Sequence, residues 1–167
     1  MEQSGVIWEY AVTWGRVATD GEVGGTLFLG THNPKLDEKG RLILPAKFRE
    51  SLTDGLVMTK GQERCVVIWA NEQFSEYAQS LRTRSQNNEK VRAFTRVFFS
   101  SAFDDVADKQ GRVTIPAPLR QWAGLDRELV VVGADTRIEI WDLVAWNQYL
   151  AVQEPGFASL DEEIARP

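Results

Sequence analysis

The sequence predicts an α+β fold made of two tandem copies of one small β unit, joined by short helices. The first observation is that the pattern of residues 35–46 recurs 71 residues later along the chain. The second is that each copy reads as a strand, a tight turn, another strand and a short helix. The third is that two further apolar runs follow each copy at nearly equal spacing. An internal repeat of this detail determines the architecture.

Each copy is centred on a tight turn that ends in an arginine. The first copy runs from Asp37 to Arg41 and the second from Asp108 to Arg112, with glycine directly before the arginine in both. Glycine tolerates positive φ, and an aspartate carboxylate can bond back to the turn backbone. A proline four residues after each arginine ends the strand and suits the first turn of a helix.

Two apolar runs after each turn predict a further pair of strands. They span 55–58 and 65–69 in the first unit, and 129–133 and 138–141 in the second. These runs align at offsets of 73 and 72, so the copies differ only by small loop insertions. A unit of about 40 residues is too small to bury a core of its own. We therefore expect the two units to complete each other.

Helical spacing of apolar residues appears between the units and after the second one. Gly124 is expected to end one helix, and Asp142 to cap the N-terminus of the last. Beyond Val152 the chain turns acidic and is expected to fray. The predicted helices span 71–82, 89–99, 119–123 and 143–150.

The patterns divide the chain into five parts. Residues 1–26 do not resemble the rest, and a Gly-Glu-Val stretch at 21–23 can be encoded by a ribosome-binding sequence. We interpret translation as starting at Leu27; the alternative is a genuine N-terminal tail. The predicted parts are the tail 1–26, unit one 31–76, the linking helices 77–101, unit two 102–146, and the helix end with its acidic tail 147–167.

Composition excludes several classes of protein. The chain has 167 residues, 43% of them hydrophobic, without an apolar run of 18 residues or a signal peptide, so no membrane span or secretion is indicated. The single cysteine, Cys65, falls in a predicted strand, where a buried apolar role is expected. The single histidine, His32, has no cysteine or second histidine to share a metal with, and we expect it in a turn or on the surface.

The net charge of −5 is distributed unevenly. Residues 1–26 and 151–167 each carry −3, which leaves +1 for residues 27–150. Because local patches and not total charge decide nucleic-acid binding, an acidic chain can still bind DNA. Segment 82–96 is locally +4, and its basic face is either solvated or in contact with DNA. Its one acidic residue is Glu89, and its cations are Arg82, Arg84, Lys90, Arg92 and Arg96.

No arrangement of residues predicts catalysis. The turn carboxylates of Asp37 and Asp108 lie beside lysine and arginine, which favour the charged form and suit ion pairing better than proton transfer. No glycine-rich phosphate loop precedes a helix, and no metal-binding spacing of cysteine and histidine occurs. We therefore expect a protein that is not an enzyme and that uses no cofactor, metal or small-molecule ligand.

The repeated Asp-x-x-Gly-Arg turn, followed by a strand, Pro-Ala and a short helix, resembles the AbrB-like swapped-hairpin DNA-binding domains. Two tandem copies, with Phe-Leu-Gly-Thr at 28–31 leading into the first, narrow the resemblance to the MraZ family over residues 27–150. This resemblance implies that the two swapped-hairpin units form an intrachain pseudo-dimer barrel.

The resemblance also implies a function. MraZ proteins are bacterial transcription regulators encoded at the head of the division and cell-wall gene cluster. The implied partners are double-stranded DNA, as repeated TGGGN boxes upstream of that cluster, and further copies of the chain in a closed ring. The expected effect on its own promoter is repression, and the expected location is the nucleoid in the cytoplasm.

The family motif Asp-x-x-x-Arg falls on both turns and assigns a role to each residue. The guanidinium fork of each arginine suits O6 and N7 of guanine in the major groove. Each aspartate would hold its arginine in place, and a lysine in each turn would contact phosphate, which adds affinity without sequence information. The candidate DNA-binding residues are therefore Asp37, Lys39, Arg41, Asp108, Lys109 and Arg112.

The two copies also differ, and some repeated residues have another interpretation. The second turn has Gln110 where the first has Lys39, and we therefore take Arg41 as the stronger candidate for reading a base. Arg49 and Arg120 recur in the short helices, where we interpret them mainly as ion pairs within the fold or between units.

Three alternatives remain open on the sequence. The Asp-x-x-Gly-Arg turns are compatible with a purely structural hairpin. A ring that acts as an adaptor through protein partners would not need the turn cations. An AbrB-type antitoxin is less consistent with the chain, because that class has one hairpin unit and a disordered toxin-wrapping tail.

Overall fold

The computed structural model describes residues 27–159, and the strands in this part follow the two predicted units in order. Where an apolar run predicted a strand, the limits agree to within one or two residues, whereas the first strand of each unit had no predicted run. The first unit contributes β1 (Phe28–His32), β2 (Arg41–Ile43), β3 (Leu56–Lys60) and β4 (Val66–Ala70). The second contributes β5 (Phe103–Asp105), β6 (Arg112–Thr114), β7 (Leu129–Asp135) and β8 (Arg137–Asp142).

Six of these strands form one antiparallel sheet in which the two units are interleaved. The order is β1-β7-β8-β4-β3-β5. Strand β1 of the first unit pairs with β7 of the second, and β5 of the second pairs with β3 of the first. Pairing of β4 with β8 joins the units in the middle. Reading the order backwards exchanges each strand for its repeat counterpart, so the sheet has approximate two-fold symmetry.

The remaining two strands form a separate antiparallel ribbon that also joins the units. Strand β2 pairs with β6, with Arg41 opposite Thr114 and Ile43 opposite Arg112. Two backbone hydrogen bonds extend the pairing at its ends, from Leu44 N to Gly111 O (2.9 Å) and from Ile115 N to Gly40 O (2.8 Å). Antiparallel strands, helices and interleaved units agree with the predicted α+β class, whereas closure into a barrel stays a prediction.

The central strands of the six-stranded sheet are buried on both faces, whereas its outer strands β1 and β5 are largely exposed. All five residues of β4 are buried, as expected of a central strand with a continuous apolar sequence. Val66 and Ile68 face the larger core, together with apolar residues of the ribbon and of the short helices. Val67 and Trp69 face a second, aromatic core, which contains Trp141 and side chains of the longer helices.

Five helices complete the described part of the chain. The prediction for 71–82 is confirmed, and the helix predicted over 89–99 extends one residue further. The predicted cap residues are confirmed: Gly124 ends a helix in the left-handed conformation, and the carboxylate of Asp142 accepts from the backbone N–H groups of Val144 (3.2 Å) and Ala145 (3.3 Å). The helices are α1 (Ala46–Arg49), α2 (Asn71–Arg82), α3 (Glu89–Ser100), α4 (Ala117–Ala123) and α5 (Leu143–Ala158).

The last helix is longer than predicted. We expected a helix over 143–150 and fraying beyond Val152, but α5 continues through Pro155 to Ala158. A proline inside a helix removes one N–H donor and crowds the carbonyl four residues earlier, yet α5 includes Pro155. The prediction was wrong because it treated the acidic composition beyond Val152 as a sign of fraying.

Single residues of special interest lie mostly where they were expected. Cys65 is buried and its thiol donates to the carbonyl of Gln62 (3.3 Å). His32 is half-buried at the end of β1, edge-on to the ring of Phe48 (5.3 Å). No helix within residues 27–159 has the length and apolarity needed to cross a membrane. The predicted translation start after residue 26 lies outside the described residues.

Candidate nucleic-acid interface

The first repeated turn is closed by its aspartate. The carboxylate oxygen Oδ1 of Asp37 accepts hydrogen bonds from the backbone N–H groups of Lys39 and Arg41, both at 2.9 Å. Its other oxygen, Oδ2, accepts from Nε of Arg41 at 2.8 Å. Backbone bonds from Asp37 N to Arg41 O (2.8 Å) and from Gly40 N to Asp37 O (3.0 Å) complete the turn. One side chain therefore orders both the loop and the arginine.

The second turn has the same geometry. Oδ1 of Asp108 accepts from the backbone N–H groups of Gln110 and Arg112, both at 2.9 Å, and Oδ2 accepts from Nε of Arg112 at 2.7 Å. The glycines of the two turns have φ values of 75° and 77°. A residue with a side chain is strained in this left-handed region, which explains why both copies have glycine there.

The two aspartates are held in the ionised form. The backbone N–H of Arg41 is the main reason why the pKa of Asp37 lies below its usual value, and the backbone N–H of Arg112 acts in the same way on Asp108. In each turn the Nε hydrogen bond of the arginine lowers the pKa further. Both carboxylates are therefore charged near neutral pH, and neither suits acid–base catalysis.

The ribbon brings the two arginines onto one face. Arg41, Ile43, Arg112 and Thr114 alternate with the buried Leu42 and Val113, so they point away from the core. Ile43 is 53% exposed although it is a large apolar residue. The Cα atoms of the two arginines are about 7 Å apart along the strands and about 5 Å apart across them. The turns themselves lie at opposite ends of the ribbon, because its strands are antiparallel.

Each arginine keeps the end of its guanidinium available. Asp37 and Asp108 bind the Nε edge of Arg41 and Arg112, respectively. Within residues 27–159 neither arginine uses its Nη groups in a hydrogen bond. The side chains of Arg41 and Arg112 are 29% and 32% exposed, so each is partly packed against the protein while its carboxylate partner holds the Nε edge. Two parallel Nη donors are what bidentate recognition of guanine requires.

The two predicted lysines are exposed but do not occupy equivalent positions. Lys39 directly precedes the turn glycine, where the second turn has Gln110. Lys109 directly follows the aspartate, where the first turn has Glu38. The turns thus match in backbone and arginine geometry and differ in where their outer charge lies.

Sequence reasoning did not find the actual position of the repeated helix arginines. We predicted mainly ion pairs for Arg49 and Arg120, but within the described residues neither has an acidic partner. Instead, Arg120 packs against Gly40 of the first unit, and Arg49 packs against Gly111 of the second. The signal in the sequence was their recurrence at the same offset of 71 as the turn residues.

The basic segment 82–96 makes contacts of a different kind. Nη1 of Arg82 donates to the side chain of Gln79 (3.0 Å), and Nη1 of Arg92 donates to the carbonyl of Gln86 (2.9 Å). These are local contacts within or next to the linking helices. Neither of these two bonds reaches the ribbon. Among residues 27–159 no cluster of three or more acidic, cysteine or histidine side chains could hold a metal ion.

Comparison with protein families gives a match over both units. A family model described as "MraZ protein, putative antitoxin-like" matches residues 27–97 and, a second time, residues 98–166. The two matches agree with the tandem repeat that the turns define. Each match contains one Asp-x-x-Gly-Arg turn.

Individual relatives agree with the family match. A protein of Salinispora tropica is 57% identical over 138 residues, which are 83% of this chain and 97% of the relative. Proteins of Parafrankia sp. (58% over 138 residues) and Micrococcus luteus (55% over 138 residues) are similar over the same 83% of this chain and 96% of their own lengths. All three are named "Transcriptional regulator MraZ".

Proposed function

The chain belongs to the MraZ family, and we propose that it is a DNA-binding regulator of transcription that reads G-rich boxes through the β2–β6 ribbon. Membership confirms the resemblance drawn from the repeated turns and the prediction that the chain is not an enzyme, since its relatives are named as transcriptional regulators. The single observation that carries the DNA-reading proposal is the pair of matched Asp–Arg turns flanking one exposed ribbon face.

The ribbon has dimensions that fit the major groove. A two-stranded β ribbon can enter this groove, which is about 12 Å wide. The estimated separation of Arg41 and Arg112 is roughly 8–9 Å, or two to three base pairs at about 3.4 Å each. Two guanidinium groups at this spacing can contact guanines within one short run of G. The proposed recognition element is thus a single TGGGN-type box per ribbon.

The outer charges are proposed to bind the DNA backbone. Lys39 and Lys109 are exposed and have no partner within residues 27–159, so they can approach phosphate oxygens. With four turn cations, one subunit neutralises few phosphates, and its binding is expected to be weak and sensitive to salt. Assembly of several subunits into a ring on evenly spaced boxes would raise the effective concentration and therefore the affinity.

The finer assignments are part of the same proposal. The interleaved units act as a pseudo-dimer barrel that carries the ribbon. The predicted domain limits 31–76, 77–101 and 102–146 describe its two units and the linking helices. The boxes lie upstream of the division and cell-wall gene cluster, the protein represses its own promoter, and it acts at the nucleoid in the cytoplasm.

A salt-series binding titration of the full chain tests the reading role. The duplexes are a repeated TGGGN-box array and a scrambled array of equal length, and the variants are Arg41→Ala and Arg112→Ala. Each is expected to lose about 5- to 150-fold of the preference for the boxes, the value of one bidentate contact at about 1–3 kcal/mol. The matched control is Arg64→Ala, an exposed arginine outside the turns that stacks on Trp122 (4.1 Å), and it should keep the preference.

Two other functions are the alternative outcomes of this test. If both turn variants bind as the parent does, the turns are structural and an adaptor ring acting through protein partners is favoured. The second alternative is neutralisation of a protein toxin, and the words "antitoxin-like" in the family description are the reason to include it. That function would leave box preference absent in the parent as well. The ring is tested separately: dispersed monomers must not bind one box as tightly as the assembly binds the array.

A further inference from the structure

We propose that Arg49 and Arg120 are positioning residues that act crosswise, each setting the geometry of the reading turn that the opposite unit supplies. The inference rests on the proposed DNA-reading function of those turns. Arg49 belongs to α1 of the first unit, and Arg120 to α4 of the second. Each crosses the boundary between the units to reach its turn.

The contact with the first turn is made by the guanidinium of Arg120. A methyl group on Gly40 would collide with Nη1 of this arginine and lie 2.7 Å from its Cζ and 3.1 Å from its Nε. Such distances mean that the guanidinium is packed directly against Cα of Gly40. Gly40 directly precedes Arg41, so the position of Arg120 limits where the backbone of Arg41 can lie.

The contact with the second turn is its counterpart. A methyl group on Gly111 would lie 2.6 Å from Cδ, 2.7 Å from Nη1 and 2.8 Å from Cζ of Arg49. Nε of Arg49 also donates to the carbonyl of Leu44 (3.0 Å), whose own N–H donates to the carbonyl of Gly111 (2.9 Å). Arg49 therefore packs against Gly111 and also binds Leu44, the residue whose N–H donates to Gly111.

The two supports are not identical. Nε of Arg120 is buried and has no hydrogen-bond partner, although the carbonyl of Ile115 is the repeat counterpart of the Leu44 carbonyl. Arg49 and Arg120 are half-buried, and each packs against the glycine that directly precedes a reading arginine of the same charge. No ion pair within residues 27–159 explains why these two arginines are partly buried at the turns. Packing that fixes the backbone conformation of each turn does explain it.

Amide hydrogen exchange in the free protein tests the crosswise contact without DNA. The amides to follow are those that the turn aspartates bind, Lys39 and Arg41 in one turn and Gln110 and Arg112 in the other. Arg120→Met keeps much of the side-chain length but removes the guanidinium group. It should speed amide exchange in the first turn by about tenfold or more relative to the second turn. Arg49→Met should instead speed exchange in the second turn relative to the first. Because the readout is a ratio within one molecule, general destabilisation cancels.

A double-mutant cycle on DNA then tests the effect on reading. The quantity is the ratio of dissociation constants for the scrambled and the TGGGN-box arrays. Arg120→Met should lower this ratio in the parent and in the Arg112→Ala background, but by less than about twofold in the Arg41→Ala background. Loss of a phosphate contact would weaken both duplexes equally and leave the ratio unchanged.

Two further variants make the result decisive. Arg64→Met removes an arginine that also contacts the opposite unit, at Trp122, but no turn, and it should change neither the exchange ratio nor the DNA ratio. Arg120→Lys keeps the charge without the planar fork, so it should behave like Arg120→Met if packing is the cause.

The two proposals fail in different ways. Equal acceleration of exchange in both turns, or an undiminished effect of Arg120→Met in the Arg41→Ala background, would overturn the crosswise role. Absence of box preference in the parent would overturn the DNA-reading proposal, while the exchange ratio would still report on the contact between the units.

Discussion

The substitution Gly133→Ala probes the pairing of β1 with β7, on which the interleaving of the two units depends. Gly133 lies opposite Gly30 in this ladder. A methyl group on Gly133 would lie 2.6 Å from the carbonyl oxygen of Phe28, and it would collide with the carbonyl carbon of Phe28 and the backbone nitrogen of Leu29. Because the obstacle is backbone, no side-chain rotation relieves it. Strand β1 must move away from β7.

The structure sets the size of the effect. Phe28 is fully buried and packs edge-on against Phe48 at 5.4 Å, so a shift of β1 disturbs both the ladder and the larger core. Overpacking of a close-packed site costs about 1–3 kcal/mol. Complete loss of one phenylalanine from a core costs about 3–5 kcal/mol. We expect Gly133→Ala to lower the free energy of unfolding by about 2–4 kcal/mol, between these limits.

Gly30→Ala is the matched control, because the two glycines differ in what a methyl group meets. Gly30 has a φ of 90°, and its nearest neighbour to an added methyl is Nζ of Lys47 at 3.7 Å, an ordinary contact. Its substitution therefore adds backbone strain, about 1–2 kcal/mol, without a collision. Gly133 has no positive φ, so its substitution adds the collision without that strain.

Equilibrium urea unfolding followed by circular dichroism measures both variants, at one fixed protein concentration because the proposed assembly would make the stability depend on concentration. The midpoint of Gly133→Ala should fall below that of Gly30→Ala, with similar dependence on urea. An equal or smaller loss for Gly133→Ala would refute the close approach of β1 to β7, one of the four strand pairings that interleave the units.

Three further predictions concern the turns and the core. Folding lowers the pKa of Asp37. The ionised carboxylate therefore stabilises the fold above the unfolded-state pKa of about 4, and this stabilisation is lost as the pH falls through the lowered folded-state pKa. The urea midpoint of Asp37→Asn should lie below that of the parent by a constant amount from about pH 6 to 8, and the difference should shrink below about pH 4. Burial raises the pKa of the Cys65 thiol, so alkylation by iodoacetamide, followed by mass spectrometry, should be slow until urea unfolds the chain. Arg49→Met should destabilise the protein by about 1 kcal/mol more than Arg120→Met in urea unfolding, because only Arg49 loses a hydrogen bond.

The turns could be predicted from the sequence because their interactions are local. In the first turn every bond that closes the loop joins residues at most four apart, from Asp37 to Arg41. Residue types alone therefore specify the geometry, including positive φ at the glycine. The same holds for the cap at Asp142, whose partners are two and three residues away.

Contacts between distant segments could not be predicted in the same way. The positions of Arg49 and Arg120 depend on how α1 and α4 meet the opposite unit, and an arginine in a short helix has no local feature that identifies such a neighbour. The pattern did indicate that the units complete each other, since each is too small alone. It did not indicate which strands pair, because β1 with β7 and β5 with β3 both join segments far apart in sequence.

The matched turns with unmatched charges imply a division of roles along the ribbon. The Asp–Arg hydrogen bonds agree within 0.1 Å in the two turns, 2.8 Å and 2.7 Å, so Arg41 and Arg112 are presented in the same way. The second turn has Gln110 in place of Lys39 and Lys109 in place of Glu38. Under the proposed function these exchanges change the approach to phosphate and not the presentation of the arginine. Base discrimination should therefore be nearly equal for Arg41 and Arg112, contrary to the expectation that Arg41 is the stronger candidate, whereas the salt dependence should differ between the turns. Arg120 packs against Gly40 and Arg49 against Gly111, and each ribbon strand pairs with a strand of the other unit. A single unit therefore lacks both the paired strand and the arginine contact that its turn has in the whole chain.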